Sequence, residues 1–263
     1  RGNSKKRQRV IFLNMELHYR SMGEGQPIII LHGVFGTSDN WQTFAKQIAD
    51  QYQVFLPDQR NHGLSPHSDE FDYHVMAEDL REFIENHQLE NPVILGHSMG
   101  GKVAMFFATK YPDKFDKLIV VDIAPRAYPV HHQKILEALG AVKINEITSR
   151  KEAEDQMKPI IAEAGIRQFL LKNLKREDND GFGWKLNLAV ISQNIERIGE
   201  AVDDSQTVDK PVLFVGGEKS DYIREEDHPL IRKIFPKARI TMVPGAGHWV
   251  HAEQPKLLLE EVT

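Results

Sequence analysis

The chain has 263 residues, no cysteine and a formal net charge of −5. The length suits one large domain, or one domain with an insertion, whose core needs no disulfide or structural metal. The lack of cysteine excludes disulfides, cysteine-ligated zinc, iron–sulfur clusters and a cysteine nucleophile. With 41% hydrophobic and 27% charged residues the composition is that of a globular protein, and its mild acidity argues against a general nucleic-acid binder.

In chain order, residues 1–9 form a basic lead-in that is set aside from the fold. Residues 10–13 and 17–22 read as a weak opening hairpin. Residues 27–31 (Pro-Ile-Ile-Ile-Leu) are apolar throughout, as a strand buried on both faces should be. A helix is expected over 39–50 and a strand over 53–57. Met76, Leu80, Phe83, Ile84 and His87 recur at helical spacing, which predicts a helix over 73–87 with Asp72 as its N-cap. Strands follow at 92–96 and 117–121, with a Gly/Ala-rich helix over 99–110 between them. Two more strands are expected at 211–215 and 239–243, and a final helix begins near Gln254.

Alternating short apolar runs and amphipathic helices mark an α/β chain with a mostly parallel central sheet and helices on both faces. The rhythm breaks between Ala124 and Val208. Helical patterns at about 131–145, 149–163, 165–176 and 184–202 surround a charged loop at 175–183. This is expected to be a helical cap, 126–208, inserted into a core made of 10–125 and 209–263. It would lie over the carboxyl edge of the sheet, where open α/β sheets bind ligands; a separate helical domain is the alternative.

Chemistry concentrates at Gly96-His97-Ser98-Met99-Gly100, between a strand and a helix. G-x-S-x-G in that place puts a serine on a sharp, strained turn with its hydroxyl clear of the backbone. The Met99 amide then opens a helix, where N–H groups are unpaired and the dipole favours an anion. A phosphate-loop reading of Gly96 to Lys102 fails at Val103, where Ser or Thr is needed. A nucleophilic serine needs a base, and His248 stands in a Gly-rich loop after the last strand. Among the other histidines, His67, His87, His131 and His132 read as solvated or helix-surface positions. His251 reads as a packing residue, and His97 as flanking the serine but pointing away. The base needs a carboxylate. Two stand at strand ends, Asp122 and Asp221. The amides of Val34 and Met99 are the expected oxyanion donors, since His32-Gly33 ends a strand at the same sheet edge. Phe35, His97 and Trp249 are candidate pocket residues, along with Trp41, Met99, Phe169 and Trp184, each of which also suits a core. Asp58, Arg60 and His62 read as a structural turn, with Arg60 bonded to backbone carbonyls.

These motifs resemble those of the α/β-hydrolases: His32-Gly33-x-x-Gly36, Asp58-Gln-Arg-Asn-His-Gly63-Leu-Ser65, Gly96-His-Ser-Met-Gly-Gly101 and Gly245-Ala-Gly-His248-Trp-Val-His-Ala-Glu-Gln-Pro255. Within that superfamily the sequence is similar to the YbfF-type esterases and abhydrolase-domain-11 proteins. The marks are Gly100-Gly101-Lys102, Val121-Asp122-Ile123-Ala124-Pro125 and Ser220-x-Tyr222. Many α/β-hydrolases carry the acid three residues after the Gly ending the penultimate strand. Here that residue is Ser220, and Asp221 falls one residue late. In the YbfF-like group the acid lies in the Asp-Ile-Ala-Pro element, so the resemblance favours Asp122.

The expected activity is ester hydrolysis through an acyl-enzyme on small to medium acyl esters. The alternatives are thioester hydrolysis (acyl-CoA among them) or C–C bond hydrolysis with the same side chains, and, from another class, a non-catalytic ligand-binding protein. No cofactor, metal, nucleic acid or membrane is expected, only a small ester or thioester substrate. A monomer or small homo-oligomer is expected. The lack of a clear secretion signal suggests the cytoplasm.

Overall fold

The computed structural model describes residues 15–129, 132–178 and 180–263. The lead-in, the strand expected at 10–13 and His131 lie outside the described residues. Seven strands among them form one sheet in the order β1-β3-β2-β4-β5-β8-β9. They are β1 (Tyr19–Met22), β2 (Gln26–Leu31), β3 (Tyr52–Pro57), β4 (Val93–His97), β5 (Lys117–Val121), β8 (Val212–Gly217) and β9 (Ala238–Val243). All neighbours are parallel except β1, which runs antiparallel to β3 with Tyr19 opposite Pro57 and Met22 opposite Val54. Among the described residues the partner of β1 is thus β3, a neighbour distant in the chain.

The central strands β2, β4, β5 and β8 are buried on both faces, as their apolar runs demanded, while the edge strands β1 and β9 are mostly half-buried or exposed. Because side chains alternate along a strand, Ile28 and Ile30 pack with α1 (Gln42–Ile48) and the last helix (Pro255–Val262). Ile29 and Leu31 face α2 (Tyr73–Asn86) and α3 (Met99–Lys110) on the opposite side. The Asp72 side chain caps α2, accepting from the Val75 amide at 3.0 Å. The helix expected over 39–50 is a 3₁₀ turn, Ser38–Asn40, followed by α1. Helix α8 (His228–Ile234), between β8 and β9, escaped the sequence reading: among its seven residues only Ile231 and Ile234 are buried.

Between β5 and β8 lie α4 (Gln133–Ala141), α5 (Arg150–Met157), α6 (Ala164–Leu171), a hairpin of β6 (Leu174–Arg176) and β7 (Phe182–Trp184), and α7 (Leu188–Gln193). A 3₁₀ turn, Ile195–Gly199, completes the run. The hairpin replaces the expected charged loop and shortens both flanking helices. Its three-residue strands are too brief to show a period of two, and it is held by packing, with Leu174 and Phe182 buried. The segment sits against loops at the carboxyl ends of β2 and β3. Asn173 Nδ2 donates to the Phe35 carbonyl at 2.7 Å, and the Asn187 amide to that of Asn61 at 2.9 Å.

Lys102, on α3, is fully buried. Its ammonium donates to the carbonyls of Pro125, Arg126 and Glu200 at 3.0, 2.6 and 2.7 Å, tying both ends of the segment to the helix that follows Ser98. Burial draws its pKa down to about 7.

Candidate active site

Ser98 links β4 to α3 with φ of 53° and ψ of −119°, a left-handed conformation that a non-glycine residue adopts only under tertiary constraint. The turn is possible because its neighbours lack side chains. A Cβ at Gly96 would lie 2.2 Å from the Gly100 carbonyl oxygen, and one at Gly100 would lie 2.4 Å from that of Leu31. The Ser98 amide is fixed by the Val121 carbonyl at 3.0 Å.

His248, in the loop after β9, places Nε2 3.1 Å from Ser98 Oγ and Nδ1 2.7 Å from Asp122 Oδ2. Asp122 follows β5, is wholly buried and also has positive φ, 51°. Its Oδ1 accepts from the Gly217 amide at 2.9 Å, and its Oδ2 from the Ser220 hydroxyl at 2.5 Å. A carboxylate acceptor at Nδ1 puts the ring proton there and leaves Nε2 free to accept from Ser98. Asp221, the other carboxylate candidate, is 88% exposed and pairs with Arg224 at 3.6 Å. The structure brings Ser98, His248 and Asp122 together and leaves Asp221 outside.

Val34 lies in the loop after β2 and Met99 opens α3. In that loop the Phe35 amide donates to His62 Nε2 at 3.3 Å and the Gly36 amide to the Gly33 carbonyl at 3.0 Å. Among the described residues, the Val34 and Met99 amides have no acceptor in the protein. Val34 lines a cavity together with Ser98, and Met99 lines another that Ser98 also borders.

A cavity of about 220 Å³ opens onto Ser98 and His248, walled by Phe35, Trp41, His97, Phe169 and Trp249 among others. Trp184 and Met99 are not among its walls; Met99 lines a second, smaller cavity instead. His97, one of the candidate pocket residues, lines the cavity, and its Nε2 donates to the His248 carbonyl at 2.8 Å, bracing the loop. His251 stacks on Trp41 at 4.2 Å and edges against His97 at 4.9 Å. Burial holds His97 well below the usual histidine range and His251 at about 3, so both stay neutral near pH 7. Neutral neighbours do not repel a positive charge developing on His248.

His32 is buried and neutral for the same reason, its Nδ1 donating to the Gly33 carbonyl at 2.8 Å and its Nε2 accepting from the Gln59 amide at 3.0 Å. Asp58 accepts from the amides of Ser38 and Leu64, which makes this segment the expected structural turn. Arg60 differs from expectation. It bonds one carbonyl, that of Glu70 at 3.0 Å, but its main partner is Asp79 of α2, bidentate at 2.6 and 2.7 Å. A guanidinium buried this deeply requires a carboxylate, and only the fold brings α2 beside it. Ser220 and Tyr222, which sequence reasoning gave no role beyond marking the resemblance, flank the acid and the base. Ser220 reaches the acid, and the Tyr222 ring stacks on that of His248 at 4.1 Å. Their signal was the Ser220-x-Tyr222 element, standing where related chains carry their acid.

Among the described residues no group of His, Asp and Glu side chains is arranged to hold a metal ion, and no helix is long and apolar enough to cross a membrane. Residues 26–143 match the family model described as the alpha/beta hydrolase fold. The chain is 40% identical to a Danio rerio protein named sn-1-specific diacylglycerol lipase ABHD11, over 89% of this chain and 76% of that one. It is 36% identical to Esterase YbfF of Escherichia coli, over 90% of this chain and 91% of that one. A solved structure titled Marine microorganism esterase superposes with a TM-score of 0.91 at 47% identity, covering 94% of this chain and 98% of the other. The chain belongs to the α/β-hydrolase fold family, among relatives named as esterases and lipases.

Proposed function

We propose that this protein is a serine carboxylic-ester hydrolase working through an acyl-enzyme. The observation that carries the reading is the continuous relay from Ser98 Oγ to His248 Nε2 and from His248 Nδ1 to Asp122 Oδ2, at 3.1 and 2.7 Å. Ser98 attacks the ester carbonyl while His248 takes its proton. The oxyanion is held by the Val34 and Met99 amides, each such donor typically worth about 3 kcal/mol of barrier. Asp122 fixes the His248 tautomer and stabilises the imidazolium, and Ser220 and the Gly217 amide fix Asp122. His248 returns the proton to the leaving alcohol, then activates water against the acyl-enzyme. Residues 126–208 act as a cap that walls the reacting atoms from solvent, contributing Phe169 to the larger cavity.

The test is hydrolysis of p-nitrophenyl acetate by the wild type and by Ser98→Ala. The expected result is turnover by the first and none above background by the second, with both chains folded. A Ser98→Ala protein that keeps most of its rate overturns the proposal.

A further inference from the structure

Two cavities meet at Ser98, and they differ in size and in what His248 touches. The larger, about 220 Å³, has His248 in its wall. The smaller, about 20 Å³, is lined by Ser98 and Met99 but, among the described residues, not by His248. In acyl transfer the base must reach the leaving oxygen to return the proton, so the leaving group departs on the side His248 faces. The acyl substituent then occupies the other side. We infer that the small cavity is the acyl site and the large aromatic one the alcohol site, so that the preferred substrates are short-chain esters of bulky apolar alcohols. This deepens the ester-hydrolase reading and rests on it.

The size of the acyl site is fixed by its wall. A cavity of about 20 Å³ holds little more than one water-sized group, which is the methyl of an acetyl. Its far side is the 3₁₀ turn Ile195–Gly199, which presents Ile195 and Ile198. Three successive carbonyls there are held from the core side. That of Ile198 accepts from the Tyr73 hydroxyl at 2.5 Å, that of Gly199 from the Tyr128 amide at 2.8 Å, and that of Glu200 from Lys102 Nζ at 2.7 Å. The Tyr73 ring is itself buried and stacked on Phe106 at 5.0 Å. A wall pinned in this way does not slide back to admit a longer chain, so Ile195 and Ile198 set the acyl limit.

Two substrate series on the wild-type protein test the assignment: p-nitrophenyl acetate, butyrate and octanoate, and acetates of methanol, hexanol and 2-phenylethanol. The acyl series is expected to fall at least ~10-fold in kcat/KM from acetate to octanoate, at the low end of the 10–200-fold that a single misfit methylene costs. The alcohol series is expected to rise with size. Ile198→Ala, which opens the wall, should move the acyl optimum to butyrate or beyond while keeping the alcohol ranking. Tyr73→Phe, which removes only the hydroxyl, should broaden the acyl profile more weakly. A wild-type rate that rises toward octanoate while acetates show no gain with alcohol size overturns the assignment, and needs no variant to fold. If Ser98→Ala is inactive in that case, the ester-hydrolase reading survives and only the cavity assignment falls. If Ser98→Ala hydrolyses these esters, or the wild type hydrolyses none, the underlying reading itself is refuted.

Discussion

Replacing Asp122 by Asn tests the relay at its most buried point. The Asp122 side chain is completely enclosed, and its two oxygens have different duties. Oδ1 accepts from the Gly217 amide at 2.9 Å, whereas Oδ2 serves both His248 Nδ1 and Ser220. An Asn of the same shape must keep its oxygen on the Gly217 amide, which can only donate. Its NH₂ then replaces Oδ2 and faces His248. One of its hydrogens points at Nδ1 and the other at the Ser220 oxygen, which can accept. His248 is driven into the tautomer with its proton on Nε2, facing Ser98, where it cannot accept the serine proton. The matching substitution in a known Ser-His-Asp enzyme lowers kcat about 10⁴-fold, or about 5.5 kcal/mol, and a loss of that order is expected here. Asp221→Asn, at an exposed surface carboxylate, should leave activity within about twofold of wild type, because exposed pairs contribute little. The assay is kcat/KM for p-nitrophenyl acetate, with circular dichroism to establish folding. A folded Asp122→Asn that keeps more than about a tenth of wild-type activity refutes the reasoning, as does an equal loss from Asp221→Asn.

Further outcomes follow from the packing and from the buried titratable groups. Gly100→Ala forces a Cβ to 2.4 Å from the Leu31 carbonyl oxygen, and a backbone clash of this kind should cost at least about 2 kcal/mol. Gly140→Ala, in α4 with nothing within 4 Å, should stabilise by about 0.5–1 kcal/mol; comparing the two melting temperatures checks both signs. His32, His62, His97 and His251 are all held below the usual histidine range by burial, His62 and His251 at about 3. The unfolded chain therefore binds more protons below about pH 6.5, so stability is full above that pH and is lost as pH falls toward 3. Each group contributes up to about 1.4 kcal/mol per pH unit, and urea midpoints at pH 7, 6 and 5 that do not move would contradict this. Lys102, drawn down to about 7, makes the folded state bind fewer protons than the unfolded chain between pH 7 and the ordinary lysine range. Stability should rise with pH across that window by up to about 1.4 kcal/mol per unit, and Lys102→Met should flatten the rise.

The chemistry of this site was more legible in the sequence than its support. Ser98 is visible because a serine between Gly96 and Gly100 at a strand end has few structural excuses. The structure shows why the glycines are needed, since a side chain at either position would drive a Cβ into a backbone oxygen. His248 is visible because a strand and two glycines, Gly245 and Gly247, precede it. The choice between Asp122 and Asp221 was not decided by spacing, since both follow strands, and needed the resemblance to related chains. Contacts between distant elements left no local trace: Arg60 with Asp79, and Lys102 on both ends of the inserted segment. The β6–β7 hairpin was missed because three-residue strands carry too little periodicity, and α8 because only two of its residues are buried.

The central claim is that Ser98 carries the acyl group. It is tested most directly by quenching the reaction with p-nitrophenyl acetate in acid during turnover and mapping the covalent adduct by peptide mass spectrometry. The account predicts one acetyl group on the peptide containing Ser98, and none after Ser98→Ala. An acetyl group on another residue, or hydrolysis that continues in Ser98→Ala without an adduct, would contradict it.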